Sequence, residues 1–97
     1  IFNNGMLGTI RMHQEKFYPG RTIGTDLTNP DFTAMSQALG AFAVRVTKTE
    51  DFAPAFEAAQ AANQPAVIEM MTNPDQSTTR MTLSGIRNAS LKAAASS

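Results

Sequence analysis

Residues 41–46 read AFAVRV, and this stretch decides the fold class of the chain. It is short and rich in apolar and β-branched residues, which is typical of a strand buried inside a sheet. A second run of the same kind, AVIEMM, follows at residues 66–71. We therefore predict an α/β protein with buried strands near residues 42–47 and 66–71.

Four helical segments accompany these strands. Residues 6–18 show a weak helical pattern, and residues 78–95 form the last segment. Between them, one helix is predicted from Asn29, a good N-cap, to about Gly40, and another over residues 47–62. The order helix, strand, helix, strand predicts a parallel sheet with flanking helices and right-handed crossovers.

Apolar residues at helical spacing predict which side chains of the two middle helices are buried. The residues that share this spacing are Phe32, Met35, Ser36, Leu39, Phe52, Ala55, Phe56 and Ala59. Met35, Met70 and Met71 are expected to fill gaps in the core, because methionine is flexible and apolar. Glu69, at the end of a strand, either points into a site or lies at a sheet edge or an interface, and the second is the commoner arrangement.

Two buried strands make a thin sheet, because a parallel sheet needs both faces and both edges covered. The chain opens on the apolar pair Ile1-Phe2, which resembles the end of a further strand. Both features lead us to expect a fragment of a larger α/β protein, in which residues 73–97 form a C-terminal helical tail.

Composition excludes several classes of protein. The 97 residues are 42% apolar and 16% charged, with a net charge of zero and no cysteine. A nucleic-acid binder would show a basic stripe, and a membrane span needs about 20 consecutive apolar residues. Neither feature is present, and no signal-peptide pattern is visible in these residues. We expect a cytoplasmic protein with no disulfide and no thiolate metal site.

The stretch IFNNGMLGTI at residues 1–10 carries the candidate functional residues. Two side-chain amides, Asn3 and Asn4, stand where a strand ends and a glycine-containing turn leads into a helix. The carboxyl ends of parallel strands bind ligands, helix N-termini suit phosphates, and amide oxygens suit Mg²⁺. From the residues alone, a simple tight turn remains the alternative.

Several segments in order resemble enzymes that use thiamine diphosphate, of the acetolactate synthase and 2-oxo acid decarboxylase type. Asn3-Asn4 resembles the closing half of the motif that opens with Gly-Asp-Gly in those enzymes. The other segments that carry the resemblance are Leu7–Ile10, Glu15–Tyr18, Thr28–Phe32, Ala38–Ala41 and Pro65–Glu69. It covers residues 1 to about 72 well and the remaining residues loosely.

The resemblance implies that residues 1–72 are the C-terminal half of a thiamine-diphosphate-binding domain, a partial doubly wound parallel sheet. It implies that Mg²⁺ binds the side-chain oxygen of Asn4 and the backbone carbonyl of Met6, while Asn3 braces the turn. Gly5 and Gly8 would let the backbone approach the diphosphate. Further cofactor contacts are implied for three residues: Leu7, Thr9 and Ile10.

Two residues of the following helix each have two possible roles. His13 stands where acetolactate synthases have a tryptophan in the substrate channel, so the resemblance favours the broader class over acetolactate synthesis itself. His13 is either a substrate-channel residue or a solvated helix residue. Arg11 either attracts the carboxylate of a 2-oxo acid or is an exposed helix arginine.

The resemblance implies part of a decarboxylase or carboligase that acts on 2-oxo acids with thiamine diphosphate and Mg²⁺. The carboxylate that activates the cofactor's aminopyrimidine, the apolar wedge that bends the cofactor and the Gly-Asp-Gly aspartate lie outside this chain. The chain is therefore expected to hold no catalytic residue and to be inactive alone. Its expected partners are the missing N-terminal part and a second subunit of a dimer or tetramer. The alternative is a non-catalytic α/β interaction module.

Overall fold

A computed structural model describes residues 1–96 of the chain. The strands and helices follow one another as β1 (Phe2–Asn3), α1 (Gly8–Phe17), α2 (Phe32–Ala38), β2 (Phe42–Val46), α3 (Phe52–Ala61), β3 (Ala66–Met71) and α4 (Leu83–Ala95). The chain forms two compact units, which are Ile1–Asn3 with Thr28–Thr72, and Asn4–Leu27 with the segment from Asn73 onward.

The first unit is built on a parallel sheet with the strand order β1-β3-β2. Phe2 pairs with Met70, and the β2–β3 register runs from Phe42 opposite Ala66 to Val46 opposite Met70. The predicted fold class is confirmed, since this is an α/β arrangement with a parallel sheet flanked by helices. Both predicted strands form, and the apolar pair at the start of the chain leads into β1.

The right-handed crossover rule places the helices α2 and α3 on opposite faces of this sheet. The chain passes from β1 to β2 across β3 and then returns from β2 to β3, so its two connections run in opposite directions. Parallel crossovers are right-handed in about 98% of cases, and opposite directions therefore place the helices on opposite faces. Thr33 of α2 donates a hydrogen bond to Glu69 of β3 at 3.1 Å, which identifies the face that α2 covers.

The N-cap of α2 differs from the prediction. Asp31, and not Asn29, caps the helix, because its carboxylate accepts a hydrogen bond from the backbone N–H of Ala34 at 3.0 Å. The side chain of Asn29 instead donates to the side-chain oxygen of Asn3 at 2.9 Å. The helix therefore starts two residues later in the sequence than Asn29 indicated.

The core of the first unit is smaller than the apolar pattern indicated. Ala43, Val46 and Ala55 are buried as expected for the interior of the sheet and of α3. The prediction for several larger residues was wrong, because their side chains are substantially exposed: Met35, Leu39, Phe52, Phe56 and Met71. Small helices on a three-stranded sheet do not have enough partners to cover these side chains.

Glu69 does not lie at a sheet edge, which was one of its predicted places. It lies on β3, which is the central strand of the sheet and not an edge, and it is only 2% exposed. The sheet-edge prediction failed because β2 was the only neighbour predicted for β3. In the structure β3 has a second neighbour on its other side. That neighbour is β1.

The second unit consists of the turn that precedes α1, the helices α1 and α4, and the loops that follow α1 and precede α4. The two helices pack against each other, and Ser90 of α4 donates a hydrogen bond to the backbone carbonyl of Lys16 at 2.9 Å. Leu83 and Ile86 of α4 are buried. Among residues 1–96, no helix has the length and apolar character that crossing a membrane requires.

Both helices of this unit start later than predicted. The helix α1 starts at Gly8 because Met6 is held in an antiparallel bridge with Asp26. The helix α4 starts at Leu83, where the side chain of Thr82 accepts a hydrogen bond from the N–H of Gly85. Local caps and bridges therefore set these starts, which apolar spacing alone does not reveal.

Candidate functional site

The turn after β1 is shaped by Asn4 and Gly5. The side-chain oxygen of Asn4 accepts a hydrogen bond from the backbone N–H of Met6 at 3.1 Å, which closes a local turn. Gly5 has a φ of +70°, a left-handed conformation that glycine adopts without steric strain. An amide oxygen has two lone pairs, so this hydrogen bond leaves the Asn4 oxygen able to accept one further partner.

The next residues are fastened to the loop that follows α1. Met6 forms a bridge with Asp26. On either side of it, the N–H of Leu7 donates to the carbonyl of Thr25 and the N–H of Leu27 donates to the carbonyl of Gly5, both at 2.8 Å. These bonds fix the backbone at Met6, and with it the direction of the Met6 carbonyl.

The start of α1 has no side-chain cap. Its N-cap residue, Leu7, makes no capping hydrogen bond, whereas Asp31 and Thr82 cap α2 and α4. The first N–H groups of a helix lack partners within the helix and carry its positive dipole end, which favours an anion. A cavity of about 300 Å³, lined by Met6–Ile10, lies at this helix start.

Gly8 permits the close approach of Asn4 to α1. A β-carbon at position 8 would lie 2.9 Å from the side-chain nitrogen of Asn4, which is closer than real contacts allow. The absence of a side chain at Gly8 therefore sets where the Asn4 amide lies.

The structure brings the predicted cofactor residues together in one turn and one helix start. Met6, Leu7, Gly8, Thr9 and Ile10 line the same cavity, and the Asn4 side chain packs at Gly8. The oxygens of Asn4 and of the Met6 carbonyl are neutral, hard donors that suit Mg²⁺. Within residues 1–96, no group of three or more His, Cys, Asp or Glu side chains could hold a metal ion. The residues present fit a metal that is held partly by phosphate oxygens.

His13 lies apart from that cavity. Its ring is exposed on α1 and stacks on Phe17 with the ring centres 6.3 Å apart. It lines a different, mainly apolar cavity of about 330 Å³, which also involves Met12, Lys16, Met81, Ile86, Ala89 and Ser90.

Arg11 is engaged within the protein. Its guanidinium forms an ion pair with Asp26 at 2.8 Å and donates a longer hydrogen bond to the hydroxyl of Thr25 at 3.4 Å. These contacts favour the alternative in which Arg11 is a surface residue of the helix over the one in which it is free to attract a carboxylate.

A buried polar network in the first unit was missed from the sequence. One oxygen of Glu69 accepts a hydrogen bond from the Asn3 side chain at 2.8 Å. The other accepts from Thr33 and from the guanidinium of Arg45, at 3.1 and 3.0 Å. The Asn3 hydrogen bond is the main cause that lowers the pKa of Glu69, and burial opposes it. The sequence did carry a signal, because each predicted buried strand contains one charged residue, and Arg45 lies opposite Glu69 in register.

Comparison with known proteins identifies the family. Residues 1–70 match the family described as thiamine pyrophosphate enzyme, C-terminal TPP binding domain. The chain belongs to this family, and the resemblance seen in the sequence is confirmed.

The relatives are similar in sequence over most of this chain. It is 38% identical over 98 residues to the acetolactate synthase large subunit of Corynebacterium glutamicum, with 95% of this chain and 16% of the relative covered. It is 35% identical over 100 residues to acetolactate synthase of Mycobacterium avium, with 97% and 16% covered. A third relative, the mitochondrial acetolactate synthase of Schizosaccharomyces pombe, is 32% identical over 71 residues, with 73% and 11% covered. The chain thus spans about one sixth of the length of its first relatives.

Proposed function

We propose that this chain is the C-terminal part of a thiamine-diphosphate- and Mg²⁺-dependent decarboxylase or carboligase that acts on 2-oxo acids. The observation that carries the proposal is the Asn4–Met6 turn, which leads from the end of β1 into the uncapped start of α1. Membership of the thiamine pyrophosphate enzyme family and the similarity to acetolactate synthases support it. We call residues Asn4–Met6 the metal loop.

In this proposal, the side-chain oxygen of Asn4 and the backbone carbonyl of Met6 bind Mg²⁺. The N–H groups at the start of α1 and the small residues Gly5 and Gly8 receive the diphosphate, whose charge the helix dipole favours. The remaining residues of the cavity wall lie along the cofactor: Leu7, Thr9 and Ile10. When bound, thiamine diphosphate supplies the carbon nucleophile and the electron sink that decarboxylation of a 2-oxo acid requires.

The chain supplies a binding surface and no catalytic residue in this proposal. Its partners are the remainder of the enzyme and a second subunit of a dimer or tetramer. Exposed apolar side chains support this part of the proposal. Phe2, Ile23 and Leu39 are 79%, 81% and 81% exposed. Apolar surface of this kind is typical of interfaces.

His13 is proposed as a residue of the substrate channel. Its exposed ring and the apolar cavity beside it fit contact with the side chain of a 2-oxo acid. In the full-length protein, His13→Ala is expected to change kcat/KM among 2-oxo acids while the affinity for thiamine diphosphate stays the same. Equal kcat/KM ratios in parent and variant would remove His13 from the channel.

The test of the metal loop uses Asn4→Ala in the full-length protein. Removing the side-chain oxygen deletes one proposed Mg²⁺ ligand, so the Mg²⁺ concentration that half-saturates cofactor binding should rise at least about tenfold, or about 1.4 kcal/mol. Binding of thiamine diphosphate is measured by calorimetry over a series of Mg²⁺ concentrations. Asn88→Ala is the matched control. Asn88 is exposed on α4, and its substitution makes the same chemical change outside the metal loop.

An unchanged Mg²⁺ requirement in Asn4→Ala would show that the metal loop is assigned wrongly. The alternative function, a non-catalytic interaction module, predicts a different result for the parent protein itself. In that case the full-length parent would show no Mg²⁺-dependent binding of thiamine diphosphate.

A further inference from the structure

We propose that Glu69 is a positioning residue for the metal loop and that it acts through Asn3. The inference rests on the proposed function, since it concerns how the Asn4 ligand is held. Glu69 lies on the central strand β3, far from the metal loop in sequence, and its hydrogen-bond partners Asn3, Thr33 and Arg45 are not residues proposed to bind the cofactor.

The first step is that Glu69 is itself held firmly. Its carboxylate is 2% exposed and accepts hydrogen bonds from three side chains, those of Asn3, Thr33 and Arg45. Arg45 is fixed in turn by an ion pair with Asp31 at 2.6 Å. Partners on β1, α2 and β2 therefore converge on one carboxylate.

The second step is that Asn3 is held from both ends of its amide. Its nitrogen donates to Glu69 at 2.8 Å, and its oxygen accepts from Asn29 at 2.9 Å. The backbone carbonyl of Asn3 also accepts a hydrogen bond from the N–H of Thr72 at 2.9 Å. Side chain and backbone are both fixed at the last residue of β1.

The third step is covalent. Asn3 is joined directly to Asn4, and the Asn3 carbonyl that accepts from Thr72 belongs to the planar peptide unit that ends at the nitrogen of Asn4. The contacts of Asn3 therefore fix the peptide unit from which the metal loop starts. Groups that orient a metal ligand typically change metal affinity about 10- to 100-fold when they are altered. Glu69 is therefore expected to affect Mg²⁺ binding without touching the metal.

The chemistry of Glu69 also favours positioning over packing. A buried carboxylate carries a large desolvation penalty, and apolar residues of similar volume often stabilise a fold as well or better. A carboxylate does what an apolar side chain cannot, because it dictates which end of the Asn3 amide faces it.

The test exchanges donor and acceptor between positions 3 and 69 in the full-length protein. Asn3→Asp places a second carboxylate against Glu69 and should raise the half-saturating Mg²⁺ concentration for cofactor binding by about 10- to 100-fold.

In the double variant Asn3→Asp/Glu69→Gln, the new amide nitrogen at position 69 can donate to the new carboxylate at position 3. Its oxygen can still accept from Thr33 and Arg45, and the net charge equals that of the parent. This double variant should return the half-saturating concentration to within about threefold of the parent value.

The Mg²⁺ concentration that half-saturates cofactor binding distinguishes a positioning role of Glu69 from a merely structural one. A structural defect lowers the melting temperature and the fraction of competent protein, but the folded molecules keep the parent's half-saturation. If Asn3→Asp behaves in that way, or if the double variant is no better than Asn3→Asp, the inference is overturned. If Asn3→Asp does not fold, Glu69→Gln replaces it, since the amide nitrogen at position 69 would then face the Asn3 amide nitrogen and neither could accept a hydrogen bond. That variant should raise the half-saturation about tenfold, and a parent-like value would equally overturn the inference.

Asn4→Ala is measured beside these variants to separate the two proposals. A parent-like Mg²⁺ requirement in Asn4→Ala counts against the metal loop itself. A raised requirement in Asn4→Ala together with a parent-like one in Asn3→Asp leaves the metal loop standing and rejects only the role of Glu69.

Discussion

Gly8 and Asn4 are the two residues whose close approach gives the metal loop its shape. A β-carbon at position 8 would lie 2.9 Å from the Asn4 side-chain nitrogen, which is the movable end of a side chain. Position 8 is also the first residue of α1, where alanine favours the helix more than glycine does. A methyl group there should therefore displace Asn4 and leave the helix intact.

We predict that Gly8→Ala lowers Mg²⁺-dependent affinity for thiamine diphosphate in the full-length protein about tenfold, with an unchanged or higher melting temperature. The measurement is calorimetric binding beside a thermal melt. Because the methyl group acts through the Asn4 amide, the effect should be much smaller in an Asn4→Ala background. Fully additive losses in the double variant would mean that Gly8 acts independently of Asn4.

At the residue scale, the sequence indicated the turn at Asn4–Met6 but not the buried contact of the preceding residue, Asn3. The pair Asn3-Asn4 and Gly5 form a local pattern that can be recognised within a few positions. The partner of Asn3 is Glu69, which is 66 positions away in the sequence. Their contact depends on β1 lying beside β3, and no local pattern contains that information.

The helix α4 shows how an element is anchored at its start. The carboxylate of Asp75 accepts hydrogen bonds from the hydroxyl of Ser84 at 2.6 Å and from its backbone N–H at 3.0 Å. These bonds lower the pKa of Asp75 from its ordinary value of 3.8, with the Ser84 hydroxyl as the main cause. The ionised form of Asp75 therefore fastens the first turn of the helix.

This linkage predicts an acid-sensitive start of α4. A carboxyl group whose pKa is lowered on folding stabilises the folded state above its ordinary pKa, and this contribution is lost as the pH falls through the lowered value. Amide hydrogen exchange at the first turn of α4, corrected for the intrinsic rate, should show falling protection below about pH 4. Ser84→Ala should weaken this pH dependence, whereas Ser77→Ala, the matched control, should keep it. Equal pH profiles in the parent and in Ser84→Ala would contradict the role of Asp75.

At the element scale, buried strands were easier to predict than helix starts. The strands β2 and β3 form where their continuous apolar runs indicated. The starts of α2 and α4 were misplaced because single side chains, Asp31 and Thr82, decide them by capping. Apolar spacing shows which turns are amphipathic, but capping bonds show where the helix begins.

At the scale of the whole molecule, the sheet explains why the chain exposes so much apolar surface. Three strands and the short helices α2 and α3 bury only a small core, and residues such as Phe2 and Leu39 remain exposed. The chain covers 16% of the length of the C. glutamicum and M. avium acetolactate synthases. In the proposed function, these exposed side chains contact the remainder of a larger enzyme.

The fold class could be predicted from the sequence, whereas the strand order could not. Continuous apolar runs separated by helices point to a parallel sheet wherever they occur. The order β1-β3-β2 depends on contacts between distant segments, and β1 has only two residues, Phe2 and Asn3. A strand that short is defined by its neighbour and not by its own composition.

The metal loop can be tested most directly by a crystal structure of the full-length protein with Mg²⁺ and thiamine diphosphate. We predict that the side-chain oxygen of Asn4 and the backbone carbonyl of Met6 both lie about 2.1 Å from the metal ion. A structure in which Mg²⁺ and the diphosphate are bound but neither oxygen is a ligand would contradict the proposed site.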